Sequence, residues 1–162
     1  MDDQTLFALC VWDEASGEPY EGKVAVARVI HNRMAAKYQS DGTVAGTVLK
    51  KFQFSGFWFT MEDGKYTQTE FDAAGAEAQA ERLLVQATGA RNASCWADCL
   101  RAVAQADPKN PTPWAKGLHP EWDKLAAEPR ALLYCNPAIS HPTWATPKAQ
   151  VAVIFHHTFY KG

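Results

Sequence analysis

The first 36 residues alternate apolar blocks with short polar breaks at a helical period. Phe7, Cys10, Val11 and Glu14 fall at i, i+3, i+4 and i+7, and Asp2 or Asp3 is placed to cap the helix they define. Gly17 is a natural stop, and Glu18 precedes Pro19, which disfavours a helical backbone at Glu18. Glu14 is therefore predicted in the last turn of the first helix, continuing its apolar stripe, with Glu18 in the turn beyond. Pro19 and Glu21 suit the opening turn of a second helix, where a missing amide donor does no harm and a carboxylate opposes the positive dipole end. Val26, Val29, Ile30 and Met34 supply the buried stripe of that helix. The two segments read as a helical hairpin with Glu14 at its corner.

From residue 42 to 68 the helical period is lost. β-branched and aromatic residues mix with Gly and Ser, which predicts short strands or a loop-rich lobe. Alanine-rich helices are expected near 70–87 and 94–106. The Pro- and Trp-rich stretch 108–130 is a long connection of the kind that is usually functional or mobile. It is unlike a linker, because Trp114 and Trp122 need something to pack on. The C-terminal "QVAVIFHHTFY" alternates as one strand, with Val151, Val153, Phe155, His157 and Phe159 on one face and His156 on the other.

Composition narrows the class. A chain of 162 residues with 47% apolar and 21% charged residues predicts one folded domain over 1–162. The net charge of −2 gives no reason to expect nucleic acid or an anionic membrane as partner. No apolar run approaches the roughly 18 to 20 residues that span a bilayer, so stable membrane insertion is not expected. The acidic N-terminus lacks a basic n-region and a cleavage site, so a complete chain would be made without a secretory signal and be cytoplasmic at first. Four cysteines (Cys10, Cys95, Cys99, Cys135) are too few for a disulfide scaffold. Cys95 and Cys99 are spaced as two thiols on one helical face. Buried free thiols are expected there in preference to a metal site, and no cofactor is implied.

Four carboxylates, Asp13, Glu14, Glu18 and Glu21, crowd the corner of the hairpin. This is either an ordinary solvated turn or a place where an acid is held for chemistry. Glu14 has the stronger case. A carboxyl on an apolar stripe loses hydration, the negative end of the helix adds pressure, and neighbouring carboxylates add more; each raises its pKa. The general acid of a glycosidase needs that, a carboxylic acid still protonated near neutral pH.

The segment "DEASGEPYEGKVAVARVIHNRM" resembles the opening motif of the spore-cortex-lytic type of cell wall hydrolase, a family also found among phage endolysins. The matching positions are Glu14, Ala15, Gly17, Glu18, Pro19, Glu21 and Gly22, then the apolar run 24–30 with Asn32 and Arg33. "QFS" (Gln53, Phe54, Ser55) resembles the block that follows the hairpin in that family. The end of the chain is similar to its last block at Tyr134, Asn136, Trp144, His157, Phe159 and Tyr160. Ser16, where arginine is common, Cys135, and the apparent insertion 108–130 depart from the pattern.

This resemblance implies an α+β, mainly α, lysozyme-like two-lobed fold with a small β element, forming a single catalytic domain. It implies cleavage of peptidoglycan between N-acetylmuramic acid and N-acetylglucosamine, with Glu14 as catalytic acid. One acid suffices for a lytic transglycosylase. A second carboxylate, for which Glu18 is the candidate, would permit hydrolysis. A structural Glu18, accepting amides at the start of the second helix, is the preferred expectation. Gln53, Ser55, Tyr134, Asn136 and His157 are candidate substrate-binding residues, and Trp58 or Tyr134 could stack on sugars. The setting suggested is a phage endolysin that reaches bacterial peptidoglycan through a holin lesion. Two other readings stay open: a peptidase with Cys10 as nucleophile and His157 as base, and a non-catalytic glycan-binding module drawing on six tryptophans.

Overall fold

The amphipathic stripe predicted for the first helix accounts for only part of its burial. In the computed structural model, α1 (Asp3–Ala15) has all of residues 6–11 buried. A helix apolar all round must be surrounded, and α1 packs against each of the four helices α2 (Tyr20–Ala36), α3 (Val44–Val48), α4 (Ala73–Ala87) and α5 (Ala93–Ala106). The structure describes residues 1–62, 65–68, 72–110 and 119–162. After α3 come a 3₁₀ turn (Ser55–Phe57) and the hairpin β1 (Phe59–Glu62) and β2 (Lys65–Gln68). A short α6 (Trp122–Ala126) and the strands β3 (Ala131–Cys135), β4 (Gln150–Ile154) and β5 (His157–Lys161) complete the chain.

Local chemistry sets the ends of these helices. The Asp2 carboxylate accepts the Thr5 amide at 2.8 Å, and Asp72 does the same for Gly75 at 2.9 Å. Thr43 caps α3, a helix the aromatic and β-branched composition of 42–68 does not predict. At the corner of the α1–α2 hairpin, the Lys23 ammonium donates to the carbonyl of Ser16, the C-cap of α1, and to that of Glu18 in the turn beyond. Pro19 stands at the N-cap of α2, one residue before the helix proper. The alanine-rich helices start at Ala73 and Ala93; the predicted start at Glu70 lies outside the described residues.

The C-terminal segment is not one strand. It reverses at Phe155 and His156, so that Ile154 pairs with His157 and Ala152 with Phe159. β5 is the centre of an antiparallel sheet ordered β3-β5-β4. No Gly, Asn or Asp marks the reversal; Phe155 itself takes φ +52°, a region costly for an aromatic residue. The turn is held from outside, where the His156 amide donates to the Glu18 carboxylate. Phe54, Phe57 and Phe159 are all but fully buried and carry the helical core into both β elements. Trp122 is buried, with the Arg28 guanidinium 5.6 Å from its ring centroid. Trp114 lies outside the described residues. Among the described residues, no helix is long and apolar enough to cross a membrane.

Candidate active site

Glu14 lies in the last turn of α1, half-buried, and its Oε2 accepts a hydrogen bond from the Tyr134 hydroxyl at 2.7 Å. Burial pushes its carboxyl up to about 7, and the neighbouring Asp13 charge adds to this. The Tyr134 hydrogen bond and the Arg33 charge pull the other way without cancelling it. Tyr134 stays a neutral donor, because burial first and then the Glu14 charge hold its hydroxyl well above the usual range.

Tyr134 is presented by β3, and α2 holds that strand in place. Asn32 donates to the Ala131 carbonyl at 3.1 Å, and Arg33 Nε donates to the Leu132 carbonyl at 2.7 Å. The Asn-Arg pair at the end of α2 is thus a pair of backbone clamps on the strand that carries Tyr134. Arg33 also reaches Gln53 Oε1 at 3.5 Å and lies 5.3 Å from the centroid of the Phe54 ring. Arg33 lies in the hairpin motif, but its role as a clamp depends on a strand 99 residues further on and has no local signal.

Glu18 is buried and engaged elsewhere. Its Oε1 accepts the His156 amide at 3.2 Å, its Oε2 lies 2.8 Å from His156 Nδ1, and its Oε1 lies 2.9 Å from His157 Nδ1. The expected acceptance of amides at the start of α2 is corrected: α2 has no side-chain cap, and the donors come from the β4–β5 turn instead. The reversal at Phe155 brings both imidazoles to one carboxylate, which a single strand would have kept apart. Burial lowers the proton affinity of His157, while the Glu18 charge opposes this. The His157 ring stands edge-on to Tyr134, centroids 5.2 Å apart. Among the described residues, no three His, Cys, Asp or Glu side chains are arranged to hold a metal ion.

The other predicted positions separate. Ser55 is exposed at the start of the 3₁₀ turn. Asn136 Oδ1 accepts the Ala138 amide at 3.0 Å, so this atom shapes the turn after β3. Trp58 is only 3% exposed, which corrects its proposed stacking on sugars: packing has claimed the ring. Cys10 is fully buried, and burial holds its thiol well above the usual range, so it can neither meet an outside substrate nor ionise as a nucleophile. All four cysteines are free. Asp13 was passed over on sequence. Its Oδ2 accepts the Gly56 amide at 3.2 Å, and burial pushes its carboxyl up to about 6. A Cβ at Gly56 would lie 2.1 Å from Asp13 Oδ1, so only glycine lets the carboxylate sit on that backbone.

The sequence model of the Cell Wall Hydrolase family matches residues 17–160. The chain belongs to the cell wall hydrolase family. Glu14 lies three residues ahead of the matched span. Spore cortex-lytic enzymes of Oceanobacillus iheyensis and Bacillus subtilis (strain 168) are 46% and 43% identical over 54 residues, a third of this chain. The matched stretch is 19% and 17% of those proteins, so they are much longer than the part they share with this member. The catalytic domain of the germination-specific lytic transglycosylase SleB from Bacillus anthracis has the same fold, with a TM-score of 0.57 over 98% of this chain and 93% of that one, at 24% identity. The α+β, mainly α fold of this cell wall hydrolase is therefore the one that this catalytic domain adopts.

Proposed function

We propose that this chain cleaves the glycan strand of peptidoglycan between N-acetylmuramic acid and N-acetylglucosamine, as a lytic transglycosylase with Glu14 as its acid. The observation that carries this reading is the Glu14 carboxyl held at about 7 by burial and met by Tyr134. The family membership and the names of its relatives agree with it. Protonated Glu14 gives its proton to the glycosidic oxygen as the bond to the muramic anomeric carbon breaks. The resulting carboxylate takes the proton from the C6 hydroxyl of the same residue, whose oxygen closes on that carbon to leave a 1,6-anhydro end. The internal hydroxyl needs no positioned water, because its translational entropy is already lost.

Glu18, the candidate second carboxylate, is committed to the two histidines, which favours the one-acid route. Hydrolysis of the same bond is the second reading, and the nearness of Asp13 in sequence and charge is what would favour it. Digestion of purified sacculi followed by mass spectrometry separates the two: an anhydro end is one water lighter than a reducing end. Intact sacculi would refute both. A phage-lysin setting belongs to the same proposal; made inside a host, the chain should then lyse it only when a holin is co-expressed.

Tyr134→Phe tests the proton balance. It removes a hydrogen bond that favours the charged carboxylate, so the Glu14 proton should be held to higher pH. The alkaline limb of the pH–rate profile is expected to move upward, at a reduced maximal rate. A limb that stays in place would separate Tyr134 from the titrating group.

A further inference from the structure

Beside Asp13, on the α4 side of α1, lies a cleft of about 490 Å³, within the roughly 300–1,000 Å³ typical of ligand pockets. Its lining includes Trp12, Asp13, Phe59, Thr60, Gln79 and Arg82. Three separate elements build one wall by a chain of hydrogen bonds. The Gly56 amide donates to Asp13, the buried Gln79 donates through Nε2 to the Gly56 carbonyl at 3.2 Å, and Arg82 donates to Gln79 Oε1 at 3.3 Å. The Gly56 peptide is thus gripped from both sides, and the wall runs from a partly buried carboxylate to an exposed guanidinium at the rim.

This pattern has a chemical meaning. A carboxylate with unused lone pairs accepts from sugar hydroxyl and acetamido N–H groups, and aromatic side chains suit the apolar faces of a sugar ring. Arg82 donates a side-chain hydrogen bond to Gln79, and a guanidinium carries five N–H donors in all. Such a fork pairs with a carboxylate. Arg82 is the cation among the described lining residues. On the neighbouring surface of α4, Glu77 and Glu81 line a different hollow with Asp3. Of these two hollows, the one with Arg82 is the one that would receive an anionic group.

We propose that this cleft is a subsite for an acetamido sugar bearing an anionic substituent, with Asp13 holding the sugar and Arg82 its carboxylate. In peptidoglycan that description fits a muramic residue with its acidic stem peptide. The inference rests on the glycan-cleaving reading above, deepens it, and gives the adjacent acids of α1 separate tasks: Glu14 meets the bond that breaks, and Asp13 holds a neighbouring sugar.

The test uses the Glu14→Gln enzyme, so that binding is read without turnover, and two probes. Chitotetraose is neutral; a disaccharide-tetrapeptide muropeptide is anionic. Titration calorimetry should show Arg82→Gln weakening the muropeptide about tenfold, the scale of one lost charge-assisted hydrogen bond, while chitotetraose changes less than about twofold. Asp13→Asn should weaken both probes about tenfold on the same grounds. Arg82 is exposed, so its replacement leaves the fold alone and the test survives even if Asp13→Asn misfolds. Equal loss for both probes on Arg82→Gln, no loss, or no binding of either probe to the Glu14→Gln enzyme overturns the proposal. Sacculus cleavage by the wild type is scored separately. Selective binding without cleavage would refute the proposed reaction and keep the subsite; cleavage with indifferent substitutions would do the reverse.

Discussion

Glu14→Gln should reduce sacculus cleavage by about 10²- to 10⁴-fold, the usual worth of a positioned general acid, with the fold intact. The side chain is nearly isosteric and still accepts from Tyr134, but it has no proton of useful acidity to give. The pH dependence follows from the same carboxyl. With its proton half-dissociated at about 7, wild-type activity should fall as pH rises through that value. Stability supplies an independent check. A carboxyl raised from 4.5 to about 7 on folding gives stabilisation that is full below 4.5 and lost as pH rises through 7. The amide has no such loss, so at pH 8 the Glu14→Gln protein should melt no lower than the wild type, and at pH 5 the difference should shrink or reverse. An inactive variant that is also unstable at pH 8 would point to a structural role for Glu14. A stable variant that still cut sacculi at normal speed would end the catalytic reading altogether.

The helical hairpin and the place of Glu14 were legible because their signals are local. Asp2, Gly17 and Pro19 act through bonds within a few residues, and a period of 3.6 shows which side chains share a face. What sequence pattern could not show depends on partners far along the chain. The turn at Phe155 has no turn residue of its own; a carboxylate 138 positions earlier fastens it. Alternation over 150–160 looked like one strand because both arms of a tight hairpin keep a period of two, and only the register at Ile154 and His157 reveals the break. Asp13 stood among four carboxylates at the hairpin corner with nothing local to set it apart. Its contact with Gly56, 43 residues on, needs the 3₁₀ turn to be folded against α1 first. Trp58 erred the other way, since an aromatic beside a candidate motif invites a functional role that its burial removes.

Glu18→Ala should cost about 2–4 kcal/mol, the scale of losing hydrogen bonds to one buried charged group and leaving their donors behind. For a chain of this size that is a fall of roughly 10 °C in Tm. The reason lies in what the carboxylate does for the sheet. It fixes the backbone of the β4–β5 turn through the His156 amide and meets both imidazoles. Without it, a phenylalanine at positive φ keeps its edge-on contact with His119 but loses the bond that fixes the turn backbone, and the His157 ring beside Tyr134 loses its charged neighbour. Glu18→Gln should be milder, since an amide oxygen still accepts the His156 N–H while its NH₂ group confronts the second imidazole. Gly22 sets a further constraint, because a Cβ there would meet the Glu18 Cβ at 2.8 Å. Gly22→Ala should therefore push Glu18 off the turn and reproduce part of the same loss. Thermal melts of the three variants rank the idea: Ala at 18 worst, with Gln at 18 and Ala at 22 between it and the wild type. A Glu18→Ala protein that melts with the wild type would mean that the turn is held by its own strands and that Glu18 is free for another task.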